Sequence, residues 1–210
     1  MQPTLPAATT CAPVASIFAL SALVAQDDEP ATATRLSRLR ESLWSPGIGL
    51  FRDGVLRVPG RPPLERADLA RSFDLLGFSY YAGLGVRAGG IALHPPDAQV
   101  SPLGYGIWPD GLAVVLDELH AALPGTPLLV AEFGVGTDDD ALRARYLERG
   151  LALTRGALAR GIDVRGFFYW TAVDNYEWLH GFDVRFGIID RERKVRESAR
   201  VLQRAQESPS

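Results

Sequence analysis

The sequence predicts an α/β fold: a partial (β/α)8 TIM barrel of about four strand–helix units. Three observations predict it. Apolar runs alternate with amphipathic helical stretches in the order β-α-β-α-β-α-β-α. The runs are almost continuously apolar, as in strands of a parallel sheet buried on both faces. The chemistry-bearing residues Tyr81, Glu132, Trp170 and Glu177 sit where those runs end or just beyond, and barrels of this type gather their sites at the C-terminal ends of their strands. A closed barrel needs eight strands and typically about 250 residues. The 210 residues here offer half of one.

The first run, Val14 to Val24, reads as a buried strand. It superficially resembles the apolar core of a secretion signal, but the first basic residue is Arg35, so the positive segment of such a signal is missing. It is also shorter than the roughly 20 apolar residues of a membrane span, and a cytoplasmic location is expected. Asp27-Asp-Glu-Pro30 is a helix-start signal, and Leu36, Leu39 and Leu43 mark one face of the helix it opens. Residues 45–66 are Gly/Pro-rich and aperiodic and predict a long loop. Phe73 to Tyr81 reads as a second strand, and residues 82–106 as a second long loop.

Trp108-Pro-Asp-Gly111 opens a helix with Leu112, Val115, Leu116 and Leu119 on one face, stopped by Leu123-Pro-Gly-Thr-Pro127. Leu128 to Gly134 is the third strand. Thr137 is placed to cap the next helix, with Asp138, Asp139 and Asp140 in its first turn, where the macrodipole favours negative charge. That location accounts for the acidic cluster without a metal. Leu147, Leu151, Leu158 and Ile162 form this helix's apolar stripe. Val164 to Trp170 is the fourth strand; a loop to Ile189 and a last helix with Val195, Ala199 and Leu202 inward complete the chain. Residues 1–12 are expected to be disordered, and the remainder forms a single domain.

Composition narrows the function by exclusion. With 47% hydrophobic and 22% charged residues the chain can bury one core. A net charge of -3 gives no long-range attraction for nucleic acid or an anionic membrane. One cysteine, Cys11, rules out an internal disulfide framework, and three dispersed histidines lack metal-ligand spacing. No glycine fingerprint for a dinucleotide or phosphate follows any strand. Neither cofactor nor metal is expected.

What remains points to a carbohydrate. Glu132 ends one apolar strand, and the next runs through Trp170 into Asp174-Asn-Tyr-Glu-Trp178. Indole faces suit the C–H face of a pyranose, and buried carboxylates accept hydroxyl donors and set orientation. The string Trp170-Thr-Ala-Val-Asp-Asn-Tyr-Glu-Trp178, then Gly181-Phe-Asp-Val-Arg-Phe-Gly187, resembles W-S-x-x-D-N-F-E-W and G-Y/F-x-x-R-F-G of glycoside hydrolase family 1, the β-glucosidase-type retaining enzymes. Ile107-Trp-Pro-Asp-Gly-Leu112 and Gly77-Phe-Ser-Tyr-Tyr81 are similar to its segments before the seventh strand and in the sixth. The likeness is specific from Phe73 to Asp190 and weaker from Val14 to Asp53, so it covers the C-terminal half of such a barrel, about its last four βα units.

The resemblance implies roles. Glu132 would be the nucleophile and Tyr81 its hydrogen-bonding support. Trp170 would be the platform under the sugar, Glu177 the acceptor for its 4- and 6-hydroxyls, Trp178 a donor to a ring hydroxyl and Phe186 a wall. The substrate would be a β-glycoside or oligosaccharide. Two departures are Ala131-Glu-Phe-Gly134 where the family has T-E-N-G, and Ser79 where it has asparagine. A larger one is the lack of an N-E-P motif, whose glutamate is the family's general acid/base. Retaining hydrolysis needs a second carboxyl about 5–5.5 Å from the first, and Glu177 is the other carboxylate at hand, although the resemblance assigns it to the sugar. Two readings follow: a retaining β-glycosidase present as one half, or a non-catalytic carbohydrate-binding remnant. A half-barrel exposes two strand edges, so self-association or a complementing N-terminal half is expected.

Overall fold

A computed structural model describes residues 12–207, so the predicted disorder of residues 1–12 falls almost wholly outside the described residues. In chain order the elements are β1 (Ala15–Ala19), β2 (Ala22–Ala25), α1 (Pro30–Leu43), α2 (Ser45–Asp53), β3 (Val55–Leu56), β4 (Leu64–Glu65) and β5 (Leu75–Tyr80). Then come β6 (Gly83–Arg87), β7 (Gly90–His94), α3 (Gly111–Ala122), β8 (Leu128–Phe133), α4 (Asp140–Ala159), β9 (Val164–Tyr169) and α5 (Ala199–Glu207). The central sheet has the order β1-β5-β8-β9 and is parallel throughout. These are the four strands predicted, half the number that closes a barrel.

The core lies between this sheet and the helices. Leu76, Phe78 and Tyr80 of β5, and Leu128, Val130 and Phe133 of β8, are fully buried with Leu112, Val115, Leu116 and Leu119 of α3. Phe133 stacks between Tyr80 and Tyr146, with centroids at 6.1 and 4.5 Å. Among the described residues no helix packs on the other face of the sheet. A Cβ built on Gly77 would touch Ile17 and Ala131, and one on Gly166 would touch Leu129 and Phe168, so these residues share that face.

Several expectations are corrected. Residues 45–66 are not one loop: Ser45–Asp53 is helical, with Pro46 in the first turn and Gly54 closing it at φ +69. Proline suits a first turn, and glycine suits the left-handed cap. The short β3–β4 hairpin follows. Residues 82–106 are not one loop either: β6 and β7 form an antiparallel hairpin, and β6 pairs with β2. The first apolar run is two strands, because β1 pairs with β5 and β2 with β6.

Asp139, not Thr137, caps α4, its carboxylate accepting from the amides of Ala141 and Leu142. The Thr137 hydroxyl accepts from Asp139 N instead. The buried face of α4 runs through Leu142, Tyr146, Leu147, Gly150 and Thr154, while Leu158 is 45% exposed. Leu158 lies in the last turn of α4, where Ala157 and the following Ile162 are the buried residues instead. Val195 precedes α5 and is exposed, and Val201 is the residue that helix buries.

Candidate active site

Glu132 reaches the site through an irregularity in β8. Phe78 pairs with Val130, Ser79 with Glu132 and Tyr80 with Phe133, so Ala131 is an extra residue in the register. Val130 and Phe133 both face the helices, and the inserted residue turns Glu132 to the open face with Ser79. Bulges re-aim side chains in this way. Gly134 then lets the chain pass β9: a Cβ there would lie 2.0 Å from the Trp170 carbonyl oxygen. The Trp170–Thr171 peptide is cis.

Tyr81, at the end of β5, donates its hydroxyl to Glu132 Oε2 at 2.6 Å. Burial, then the Glu132 carboxylate and the more distant Glu177, hold the Tyr81 phenol far above its ordinary pKa. The phenol is therefore a permanent donor to the carboxylate. A cavity of about 230 Å³ opens over this pair, lined by Tyr81, Leu103, Tyr105, Glu132, Trp170, Glu177 and Phe186. Phe186 is buried and meets the Tyr81 ring edge-on at 5.9 Å.

The loop after β9 is held by its own polar contacts. Asn175 Nδ2 donates to Glu177 Oε1 at 2.6 Å. Asp174 accepts from Gly187 N at 2.8 Å and from both terminal nitrogens of Arg196 at 2.9 and 2.7 Å. Burial alone would raise the Asp174 carboxyl, but the Arg196 pair and the Gly187 amide more than offset it and hold the pKa below the usual carboxylate range. Buried Arg143 donates to the carbonyls of Thr137 and Arg185, next to Phe186. Tyr169 donates to the Phe186 carbonyl at 3.1 Å.

Of the residues singled out in the sequence, Tyr81, Glu132, Trp170, Glu177 and Phe186 surround one cavity. Trp178 does not. Glu177 N donates to Gly181 O and Gly181 N to Glu177 O, a tight reversal that leaves Trp178 and Leu179 at its tip, each 91% exposed. Leu103 and Tyr105 were not anticipated. They sit on a turn in which Gly104 N donates to Ser101 O and Tyr105 N to Ser101 Oγ, within a segment whose glycines and prolines mask its order. Among the described residues no cluster of three or more His, Cys, Asp or Glu is placed to hold a metal ion.

The chain is similar to known glycosidases. The family described as Glycosyl hydrolase family 1 matches residues 62–208. A chloroplastic galactolipid galactosyltransferase of Arabidopsis thaliana is 32% identical over 163 residues, covering 75% of this chain and 26% of that protein. A β-galactosidase of Sulfolobus acidocaldarius is 32% identical over 182 residues, covering 78% and 35%. The chain thus spans about a quarter to a third of the curated relatives it matches. Among solved structures, a β-glycosidase from Pyrococcus horikoshii matches with TM-score 0.78 and 25% identity, over 87% of this chain and 45% of that one. A family 1 β-glucosidase from Thermotoga maritima, at 19% identity and TM-score 0.78, shares the fold over 92% and 50%. Both are (β/α)8 barrels, of which this chain has the α/β architecture of half.

Proposed function

The chain belongs to glycosyl hydrolase family 1, and on that premise we propose that it carries the nucleophile and the sugar-binding side of a retaining β-glycosidase. Glu132 attacks the anomeric carbon of a β-glucoside or related β-glycoside, the bond to the leaving oxygen breaks, and a glycosyl ester forms on the carboxylate. Tyr81 donates to Oε2 and leaves Oε1 free to attack. Trp170 supplies an apolar platform, Glu177 accepts sugar hydroxyls, and Phe186 closes the wall. Trp178 has no role in the observed loop conformation. The observation that carries this reading is the 2.6 Å Tyr81–Glu132 hydrogen bond inside a cavity that also exposes Trp170 and Glu177.

The acid/base is the missing partner. Among the described residues Glu132 and Glu177 are the carboxylates that line the cavity, and Glu177 is committed to the sugar and to Asn175. In this reading the proton for an ordinary alkoxide leaving group comes from outside these cavity residues. A dinitrophenyl β-glucoside, whose leaving group departs unprotonated, bypasses that step. The expected result is a burst of dinitrophenolate stoichiometric with the chain, absent in Glu132→Gln. The lack of a second uncommitted carboxylate also favours a second reading, a carbohydrate-binding remnant. That reading predicts glucose binding, seen by titration, with no burst in the wild type. Neither burst nor binding contradicts both.

A further inference from the structure

The two carboxylates of the cavity are held in the same way. Glu132 has one oxygen, Oε2, occupied by the Tyr81 hydroxyl at 2.6 Å, and Glu177 has one oxygen, Oε1, occupied by the Asn175 amide at 2.6 Å. Among the described residues no donor reaches the second oxygen of either. Both side chains line one cavity, where like charges oppose each other and a donor to each carboxylate offsets that repulsion.

Asn175 stands at a boundary in the loop after β9. The chain before it is clamped to a neighbouring segment. Ile188 N donates to Thr171 O, Ile189 N to Ala172 O and Asp174 N to Ile189 O, and the Asp174 carboxylate takes Gly187 N and Arg196. The chain beyond it closes on itself, with the Glu177 and Gly181 backbones exchanging hydrogen bonds at 2.7 Å below an exposed tip. Glu177 therefore begins the protruding part of the loop. Its side chain has several rotatable bonds, which left free would spread its acceptor oxygens over many positions. The Asn175 amide ties that carboxylate to the clamped part of the chain.

We infer that Asn175 is a positioning residue for the sugar: it locks the Glu177 carboxylate so that Oε2 is the acceptor presented to the substrate hydroxyls. This rests on the reading of Glu177 as the sugar's acceptor and names the group that makes that acceptor selective. A fixed, charged acceptor discriminates against a sugar that lacks the matching hydroxyl, because the acceptor is then left unpaired in the closed site. A carboxylate free to swing into water suffers no such loss. Asn175 thus sets the preference for β-glycosides whose 4- or 6-hydroxyl is free.

Titration calorimetry of the full chain with glucose, 4-deoxyglucose and 6-deoxyglucose tests it. In the wild type at least one deoxy sugar is expected to bind about 10-fold or more weaker than glucose. In Asn175→Ala glucose itself should weaken by about 10-fold, and the ratio between the sugars should fall to about one. Asn175→Asp, of the same size but an acceptor where the amide donates, should do likewise, and melting curves establish that each variant is folded. A folded variant that keeps the wild-type ratio, even with all three sugars bound more weakly, overturns the inference and leaves the role of Glu177 standing. A wild type that binds the three sugars alike, or binds none, overturns Glu177 as the acceptor and this inference with it. Failure of both variants to fold makes Asn175 a structural residue and overturns the inference as well.

Discussion

Replacing Asp174 with asparagine keeps the shape of the side chain and removes its charge. In the wild type this carboxylate takes three hydrogen bonds, one from Gly187 N and two from Arg196. Its side chain is 7% exposed and that of Arg196 16%. Removing one partner of a buried ion pair costs about 3–5 kcal/mol, because the other charge stays buried. Arg196 retains the Gly187 carbonyl and some water, which places the loss near the lower end, about 3 kcal/mol. In domains of this size each kcal/mol moves the melting temperature by about 2–4 °C, so Tm should fall by about 6–12 °C. The control is Asp138→Asn, which breaks a pair with Arg185 whose side chains are 72% and 53% exposed. Exposed pairs contribute about 0–1 kcal/mol. Urea unfolding and calorimetry at one fixed protein concentration measure both variants. A loss for Asp174→Asn no larger than that for Asp138→Asn would refute the assignment of the Arg196–Asp174 pair as the clamp on this loop.

Tyr81→Phe removes the donor to Glu132. A hydrogen bond to a charged group contributes about 1.5–3 kcal/mol, so the dinitrophenolate burst should slow by about 10- to 100-fold while the melting temperature changes little; an unchanged burst rate counts against Tyr81 as support of the carboxylate. Gly134→Ala puts a methyl against the Trp170 carbonyl, a backbone atom that cannot move aside, so the variant should lose about 2 kcal/mol or more, or fail to fold; full stability by urea titration would contradict that contact. Asp140 and Asp174 both have pKa values held below the reference 3.8: burial would raise each, and hydrogen bonds from Ser198 and Arg143, or from Arg196 and Gly187, more than offset it. A lowered folded-state value means that their stabilisation is complete above pH 4 and is lost as pH falls through the lower folded values. Unfolding free energy should therefore drop below pH 4, less steeply in Asp174→Asn than in the wild type; equal slopes would contradict it.

Strand order, the parallel sheet and the apolar face of α3 were legible because buried parallel strands and period-3.6 helices leave strong patterns in sequence. Residues 45–53 and 83–94 were misread for a shared reason. In the first, Pro46 and Gly54 lie at the ends of a helix, where they cap it rather than break it. In the second, glycines Gly83, Gly85 and Gly90 sit in hairpin strands where neighbouring side chains press close to two of them. The insertion at Ala131 leaves a trace in the apolar pattern: Val130 and Phe133, both buried, are three apart, which strict alternation does not allow. Trp178 was placed by motif alone, and no pattern in the residues shows that the 177–181 reversal turns it outward. The Arg196–Asp174 clamp joins residues far apart in the chain, a pairing that no local periodicity encodes.

Covalent capture at Glu132 tests the central claim most directly. A dinitrophenyl 2-deoxy-2-fluoro-β-glucoside pairs a leaving group that needs no acid with a fluorine that slows release of the ester. Intact-mass measurement should show one deoxyfluoroglucosyl unit per chain, and peptide mapping should place it on Glu132 and find none in Glu132→Gln. A label on Glu177 or elsewhere, or a wild-type chain that stays unlabelled while still binding glucose, would contradict Glu132 as the nucleophile.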